Sequence, residues 1–180
     1  MLPRYLIAIL FAVLWTVPFV FKYTARRPEA VAKDRSARAG MVFQGMAKII
    51  VWIVPARYVP NWRMAVGMLL SILGILTVQA ALRHLDKQWR LDAALNADHQ
   101  LIRTGPYAVV RHPIYTAMFA MVMGTGFMLA RWPAVIAAAI LHIVGTEIRI
   151  RSEERLLRSR FGEEFDAWAS RVWAYVPFIR

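Results

Sequence analysis

Apolar residues gather into five long runs separated by short polar stretches. A helix crossing the hydrocarbon layer needs about twenty mostly apolar residues, and residues 2–21, 64–82 and 114–130 meet that requirement readily. Residues 41–54 form a shorter run that holds Gln44 and Lys48, and residues 132–148 one that holds His142 and Glu147. The pattern predicts an all-α polytopic membrane protein with about five transmembrane helices. The first apolar run is not followed by a small-residue cleavage site, so it is expected to stay as a helix. Only Arg131-Trp132-Pro133 separates the last two runs, which predicts a tight antiparallel hairpin. Beyond it, Ile150, Leu156, Leu157 and Phe161 recur among charges at helical spacing, predicting an amphipathic cytoplasmic helix over 149–160. Gly162 supplies its stop. A second short helix over 163–173 places Phe165, Trp168 and Val172 on one face, suited to lying on the bilayer or covering the hairpin.

Composition agrees: 59% of the 180 residues are hydrophobic, well above what a soluble domain of this length carries. A net charge of +12 raises nucleic acid as a partner, but the basic residues cluster at the edges of apolar runs, where anionic lipid headgroups are the simpler counterpart. Eighteen of the 23 Lys and Arg lie in segments 22–40, 83–112 and 149–180. Five crossings put those three segments on one side, so the N-terminus is expected outside and the tail in the cytoplasm. The absence of Cys excludes disulfides, thiolate metal sites and cysteine nucleophiles. The four His residues show no metal-ligand spacing. Gly124-Thr125-Gly126 has no preceding strand and is expected to serve close helix packing rather than nucleotide binding. The first basic loop, 22–40, shows no pattern that assigns it chemistry.

The chemistry concentrates in Asp98–Tyr115, D-H-Q-L-I-R-T-G-P-Y-A-V-V-R-H-P-I-Y, whose Gly105-Pro106 marks a turn and whose Pro113 suits the first turn of the next helix. A loop of snorkelling cations and interfacial aromatics accounts for this stretch as well as a binding loop does. Arg149 and Glu153, four apart, share a helix face, and on local grounds they are an ordinary weak salt bridge. Glu147 at membrane depth needs a partner or a cavity. Lys48 snorkels to an interface or lines a cavity.

Taken together, that stretch and R-I-R-S-E-E-R-L-L-R-S-R-F-G-E-E-F-D-A-W-A-S-R-V-W-A-Y-V-P-F-I resemble the signature of the isoprenylcysteine carboxyl methyltransferase family and its phospholipid methyltransferase relatives. The shared blocks are G-x-Y-x-x-x-R-H-P-x-Y, Gly124-Thr125, Glu153-Glu154, Phe161-Gly162-Glu163-Glu164, Arg171-Val172 and Pro177-Phe178-Ile179, in order over roughly the C-terminal half. The resemblance implies one membrane domain over 1–180, with three N-terminal helices in 1–82 and a methyltransferase-like half in 83–180. It also implies S-adenosylmethionine as cofactor, held by the residues matching His99, Gln100, Leu101, Ile102, Tyr107, His112, Pro113, Ile114, Tyr115 and Glu153. Arg149 takes the position associated with the methyl acceptor, and with Glu153 it makes up the implied catalytic pair. A cofactor-contacting Gln upstream of His99 has no counterpart; Asp92 lies nearest that spacing, with Gln88 further back.

The expected function is methyl transfer to a lipophilic acceptor entering from the bilayer, with the carboxylate of an isoprenylcysteine-type molecule favoured. A bidentate contact from Arg149 would orient such a carboxylate, which is already ionised at neutral pH and needs no base. An amine, thiol or phospholipid acceptor would need one, with Glu147 or Glu154 as candidates. Two further alternatives are a sterol-reductase-like enzyme using reduced nicotinamide, which shares an R-H-x-x-Y block, and a non-catalytic lipid-binding protein.

Overall fold

The computed structural model describes residues 2–24, 30–90, 93–96 and 98–175. Its helices are α1 (Leu2–Thr24), α2 (Ala37–Ile53), α3 (Asn61–Leu85), α4 (Pro113–Leu129), α5 (Trp132–Phe161) and α6 (Glu163–Ala169). Two short strands, β1 (Ala30–Lys33) and β2 (Ala94–Asn96), pair antiparallel. Each of the five apolar runs is a helix. Three of them, Leu2–Phe21, α3 and α5, are long and apolar enough to cross a membrane, while α4 is apolar but shorter. Leu6, Ile9, Leu10, Ile49, Leu69, Leu76, Ile136 and Ile140 point outward from the bundle, as lipid-facing positions do.

Helix α4 is the hub, burying Ala117, Met121, Val122, Met128 and Leu129. Lipid tails are as apolar as Leu, so close backbone approach has to supply the association. At α3–α4, a Cβ on Gly124 would lie 2.4 Å from the Ser71 hydroxyl and 2.7 Å from the Gly67 carbonyl. At α2–α5, a Cβ on Gly40 would lie 2.4 Å from the Gly145 carbonyl. The packing role expected of Gly124 is thus what the helices require.

At the hairpin end, Ala56 N–H donates to the Leu129 carbonyl at 2.7 Å and Arg131 N–H to that of Val54 at 3.1 Å. Buried Arg63, in the first turn of α3, donates through Nη2 to the carbonyls of Ala130 at 2.7 Å and Gly126 at 3.2 Å. It thereby satisfies the Ala130 carbonyl just past the end of α4 and adds a second donor to the Gly126 carbonyl, which already accepts from Ala130 N–H at 2.8 Å. Its guanidinium lies 4.5 Å from the Trp132 ring centre.

Two expectations need correction. The tail helix over 149–160 is not separate: α5 runs unbroken through 30 residues, about 45 Å and longer than the hydrocarbon layer. A change from apolar to charged composition does not interrupt helical hydrogen bonding, so the rod continues until Gly162, where φ is +52°. The second helix ends at Ala169 rather than 173, because the chain then turns to place Trp173 and Ala174 carbonyls on the backbone N–H groups of Arg111 and His112, at 2.7 and 2.8 Å. The first basic loop, to which the sequence assigns no chemistry, is tied down structurally: β1 joins it to β2, and Asp34 accepts from Arg155 of α5 at 2.6 Å. Hydrogen bonds from Ser36 and Arg155 hold the Asp34 carboxyl well below the usual carboxylate range. Of the positions tied to the resemblance, Asp92 and Pro177-Phe178-Ile179 lie outside the described residues.

Candidate active site

A cavity of about 560 Å³ lies where α1, α2, α4 and α5 meet the loop before α4. Two short helical turns shape that loop. The first, Asp86–Gln88, ends α3, and the second, Gly105–Ala108, starts where the sequence places Gly-Pro. Gly105 has φ +60°, and a Cβ there would lie 2.4 Å from the His84 ring, so only glycine fits. The turn buries Tyr107 against Phe165 and Trp168 of α6. Pro113 then opens α4, facing Tyr115 toward α5.

His112 stands between two carboxylates. Its Nδ1 is 3.4 Å from Glu153 and its Nε2 is 3.3 Å from Glu154. Burial opposes a charged imidazole, but the two carboxylates outweigh it and hold the His112 pKa above its ordinary value. Glu154 also accepts from Arg111 Nε at 3.0 Å and Nη2 at 2.8 Å, while Arg111 Nη1 reaches the Ala169 carbonyl at 2.8 Å and that of Val172. This network ties the tail to the mouth of α4. Glu153 accepts from the Tyr115 hydroxyl and lies 3.9 Å from Arg149. The buried Arg149 guanidinium sits 5.1 Å from the Tyr115 ring centre and donates to Gln44 Oε1 at 3.3 Å. Gln44 in turn donates to Thr146 at 3.0 Å. Arg149 and Glu153 are therefore no surface pair; they form part of a cavity wall.

On the loop side, burial holds the His99 imidazole below its usual pKa against the pull of Asp98, with Arg160 and Arg90 adding to the decrease. Burial, reinforced by Glu153, pushes the Tyr107 phenol up. Among the described residues, His99 Nδ1 and Gln88 Oε1 are buried polar atoms with no hydrogen-bond partner, and both residues line the cavity.

The cavity gathers His99, Gln100, Leu101, Ile102, Tyr107, His112, Ile114, Tyr115, Arg149 and Glu153. Pro113 is set apart: it is fully buried in the first turn of α4 and is not in the wall. Glu147 pairs with Arg151 at 3.3 Å, away from the cavity. Sequence reasoning did not foresee Trp15 and Phe19 of α1, or Met41, Gln44 and Gly45 of α2, in the wall. The one available signal was the i, i+3, i+4, i+7 spacing of Met41, Gln44, Gly45 and Lys48 within a short apolar run.

The sequence model of the phospholipid methyltransferase family matches residues 62–164. A protein-S-isoprenylcysteine O-methyltransferase B from Arabidopsis thaliana is 31% identical over 125 residues, 66% of this chain and 61% of that protein. The protein-S-isoprenylcysteine O-methyltransferase of Schizosaccharomyces pombe is 32% identical over 47% of this chain and 36% of its own. The nickel-cobalt-cadmium resistance protein NccN of Alcaligenes xylosoxydans xylosoxydans is 36% identical over 43% of this chain and 36% of its own. Similarity thus extends over 36% to 61% of these relatives' length. The family match covers nearly all of α3, the loop before α4, α4 and α5, more than half of the sequence, and the chain therefore belongs to the phospholipid methyltransferase family, as its resemblance to the isoprenylcysteine carboxyl methyltransferases implied.

Proposed function

We propose that this chain is a membrane-embedded methyltransferase that uses S-adenosylmethionine and methylates a lipophilic acceptor, with the carboxylate of an isoprenylcysteine-type molecule favoured. The observation that carries the reading is one cavity whose polar loop, residues 99–102, is continuous with a buried guanidinium, Arg149, set among membrane helices. The donor set suits the cofactor. His99 Nδ1 and Gln88 Oε1 offer unmet hydrogen-bonding capacity for its polar edges, Glu153 offers a carboxylate for its ammonium, and Tyr107 and Tyr115 offer aromatic surface. Gln100, Leu101, Ile102, His112 and Ile114 complete that side of the pocket. Pro113 contributes by fixing the start of α4 rather than by contact.

When bound, S-adenosylmethionine supplies a methyl group on a sulfonium, open to in-line displacement. Arg149 holds the acceptor carboxylate in a fixed orientation, and positioning of this kind with exclusion of water can supply most of the acceleration. Gln44 fixes the guanidinium from behind, and the Tyr115 hydroxyl fixes Glu153. A carboxylate acceptor needs no proton removed. An amine acceptor would, yet Glu154 is engaged by Arg111 and His112, and Glu147 lies away from the cavity. The orientation consistent with the Lys and Arg distribution is five crossings with the loop and tail cytoplasmic. The cofactor then enters from water and the acceptor sideways from the bilayer.

Calorimetry in detergent tests the reading. Micromolar binding of S-adenosylmethionine is expected, weakened about tenfold or more by Glu153→Ala, on the scale of a lost charge-assisted contact. No heat with this cofactor, alongside a clear response to a reduced nicotinamide, would favour the reductase alternative; silence with both would favour lipid binding without catalysis. Labelled cofactor incubated with a lipid extract then identifies the acceptor.

A further inference from the structure

The wall contributed by α2 bears a charge that this chemistry has not yet used. Met41, Gln44, Gly45 and Lys48 all line the cavity, at spacings that put them on one helix face. Gln44 receives the Arg149 guanidinium at 3.3 Å. Lys48 lies one turn further along that face, about 6 Å by helix rise. Because Gly40 packs against Gly145 and Arg149 near the start of α2, that turn leads along the helix away from the loop, where the exposed Lys48 side chain lines the open cavity.

The charges around the cavity are unequal. Among the described residues that line it, Lys48, Arg90, Arg111 and Arg149 are cations, and Glu153 is the one carboxylate. Arg111 is matched from outside the wall by Glu154, and Glu153 is already engaged by Tyr115 and His112. Arg149 keeps Glu153 at 3.9 Å, whereas Lys48, one turn along the same face, makes no hydrogen bond or ion pair with any described residue, so its ammonium adds unmatched positive charge beside that guanidinium. Like charges at membrane depth are costly. An anion entering between them relieves the cost, whereas an ammonium headgroup adds to it.

We propose that Lys48 is an acceptor-binding residue, forming with Arg149 a two-cation seat that takes a carboxylate-bearing lipophilic acceptor and rejects amine headgroups. The inference rests on the methyltransferase reading for the acceptor's role, but the seat can be probed without turnover.

The probes are N-acetyl-S-farnesylcysteine, with a free carboxylate, and its carboxamide. Binding is followed by tryptophan fluorescence, to which Trp15 and Trp89 in the wall contribute. The unmodified protein is expected to bind the acid at least about tenfold tighter than the amide, the scale of a hydrogen bond to a charged group. Lys48→Met should reduce that preference about tenfold with amide affinity unchanged, while Lys48→Arg preserves it. Vesicles of phosphatidylethanolamine should not compete. An acid preference equal in Lys48→Met and the unmodified protein overturns the proposal, leaving a lysine that merely snorkels. So does equal loss in Lys48→Arg, which would mean a role in shape. Should Lys48→Met fail to purify folded, Lys48→Gln replaces it. S-adenosylmethionine calorimetry on the same samples separates the two ideas: a Lys48-dependent acid preference without cofactor binding would keep the seat and sink methyl transfer.

Discussion

Arg63 and Arg149 are chemically alike and differently employed. Both are buried, at 4% and 7% exposure, and both sit over an aromatic ring. Arg63 spends its donors on the carbonyls of Gly126 and Ala130, where α4 ends against the hairpin. Arg149 faces a side-chain amide, a carboxylate at 3.9 Å and about 560 Å³ of open cavity. A buried guanidinium is thus not by itself a sign of function. The partners decide: backbone carbonyls around a helix end make a structural lock, and an open cavity leaves a guanidinium room for a ligand.

Mutation should separate the two. Arg149→Ala is expected to reduce methyl transfer about 100- to 1,000-fold, the range seen when one positioned donor is removed, with S-adenosylmethionine affinity by calorimetry little changed. Transfer unaffected by this change would remove Arg149 as the acceptor anchor. Arg63→Ala should act the other way, costing about 2 kcal/mol of stability by leaving the buried Ala130 carbonyl unmet, read as a lower melting temperature in detergent. Turnover per folded molecule should stay within about twofold, an expectation set against the distance of Arg63 from the reacting groups. The smallest effect sharpens the site side of the comparison. Because Glu153 and Glu154 raise the His112 pKa, the stabilisation from its charged form is complete below about pH 6.5 and is lost as pH rises through the raised value. Melting temperature should therefore fall by a few degrees as pH rises above 6.5, and His112→Asn should flatten that slope; a slope unchanged in the variant would show that other groups carry it.

Much of this molecule is legible in its sequence. The apolar runs mark all five long helices, because each run is near or above the length that forces a helix in lipid. Apart from Pro113, the site positions carried by the resemblance, from His99 to Tyr115 with Arg149 and Glu153, reach one cavity. What stayed hidden depends on contacts between distant segments. Arg63 resembles any outward-facing cation until its reach to Ala130, 67 positions away, is known. Gln44 and Lys48 share a face of a short apolar run, but their spacing alone does not say whether that face meets a cavity or the bilayer surface. Arg149 and Glu153 have the spacing of a solvated pair, and only packing against Tyr115 and Gln44 distinguishes them from one. The bend toward Trp173 and Ala174 is set by N–H groups of Arg111 and His112, which no side-chain pattern reports.

The uninterrupted course of α5 has a metric consequence. Arg149 and Glu153 are set on one rod, so the vertical offset between the proposed acceptor and cofactor subsites is a ruler marked in helix rise, about 6 Å for four residues. Loop substitutions cannot reset that ruler. Inserting a single residue between them would turn one group about 100° around the axis relative to the other, taking them out of shared register. If the proposed roles hold, an acceptor of different size is accommodated by the walls that α1 and α2 supply, while the spacing along α5 stays as it is.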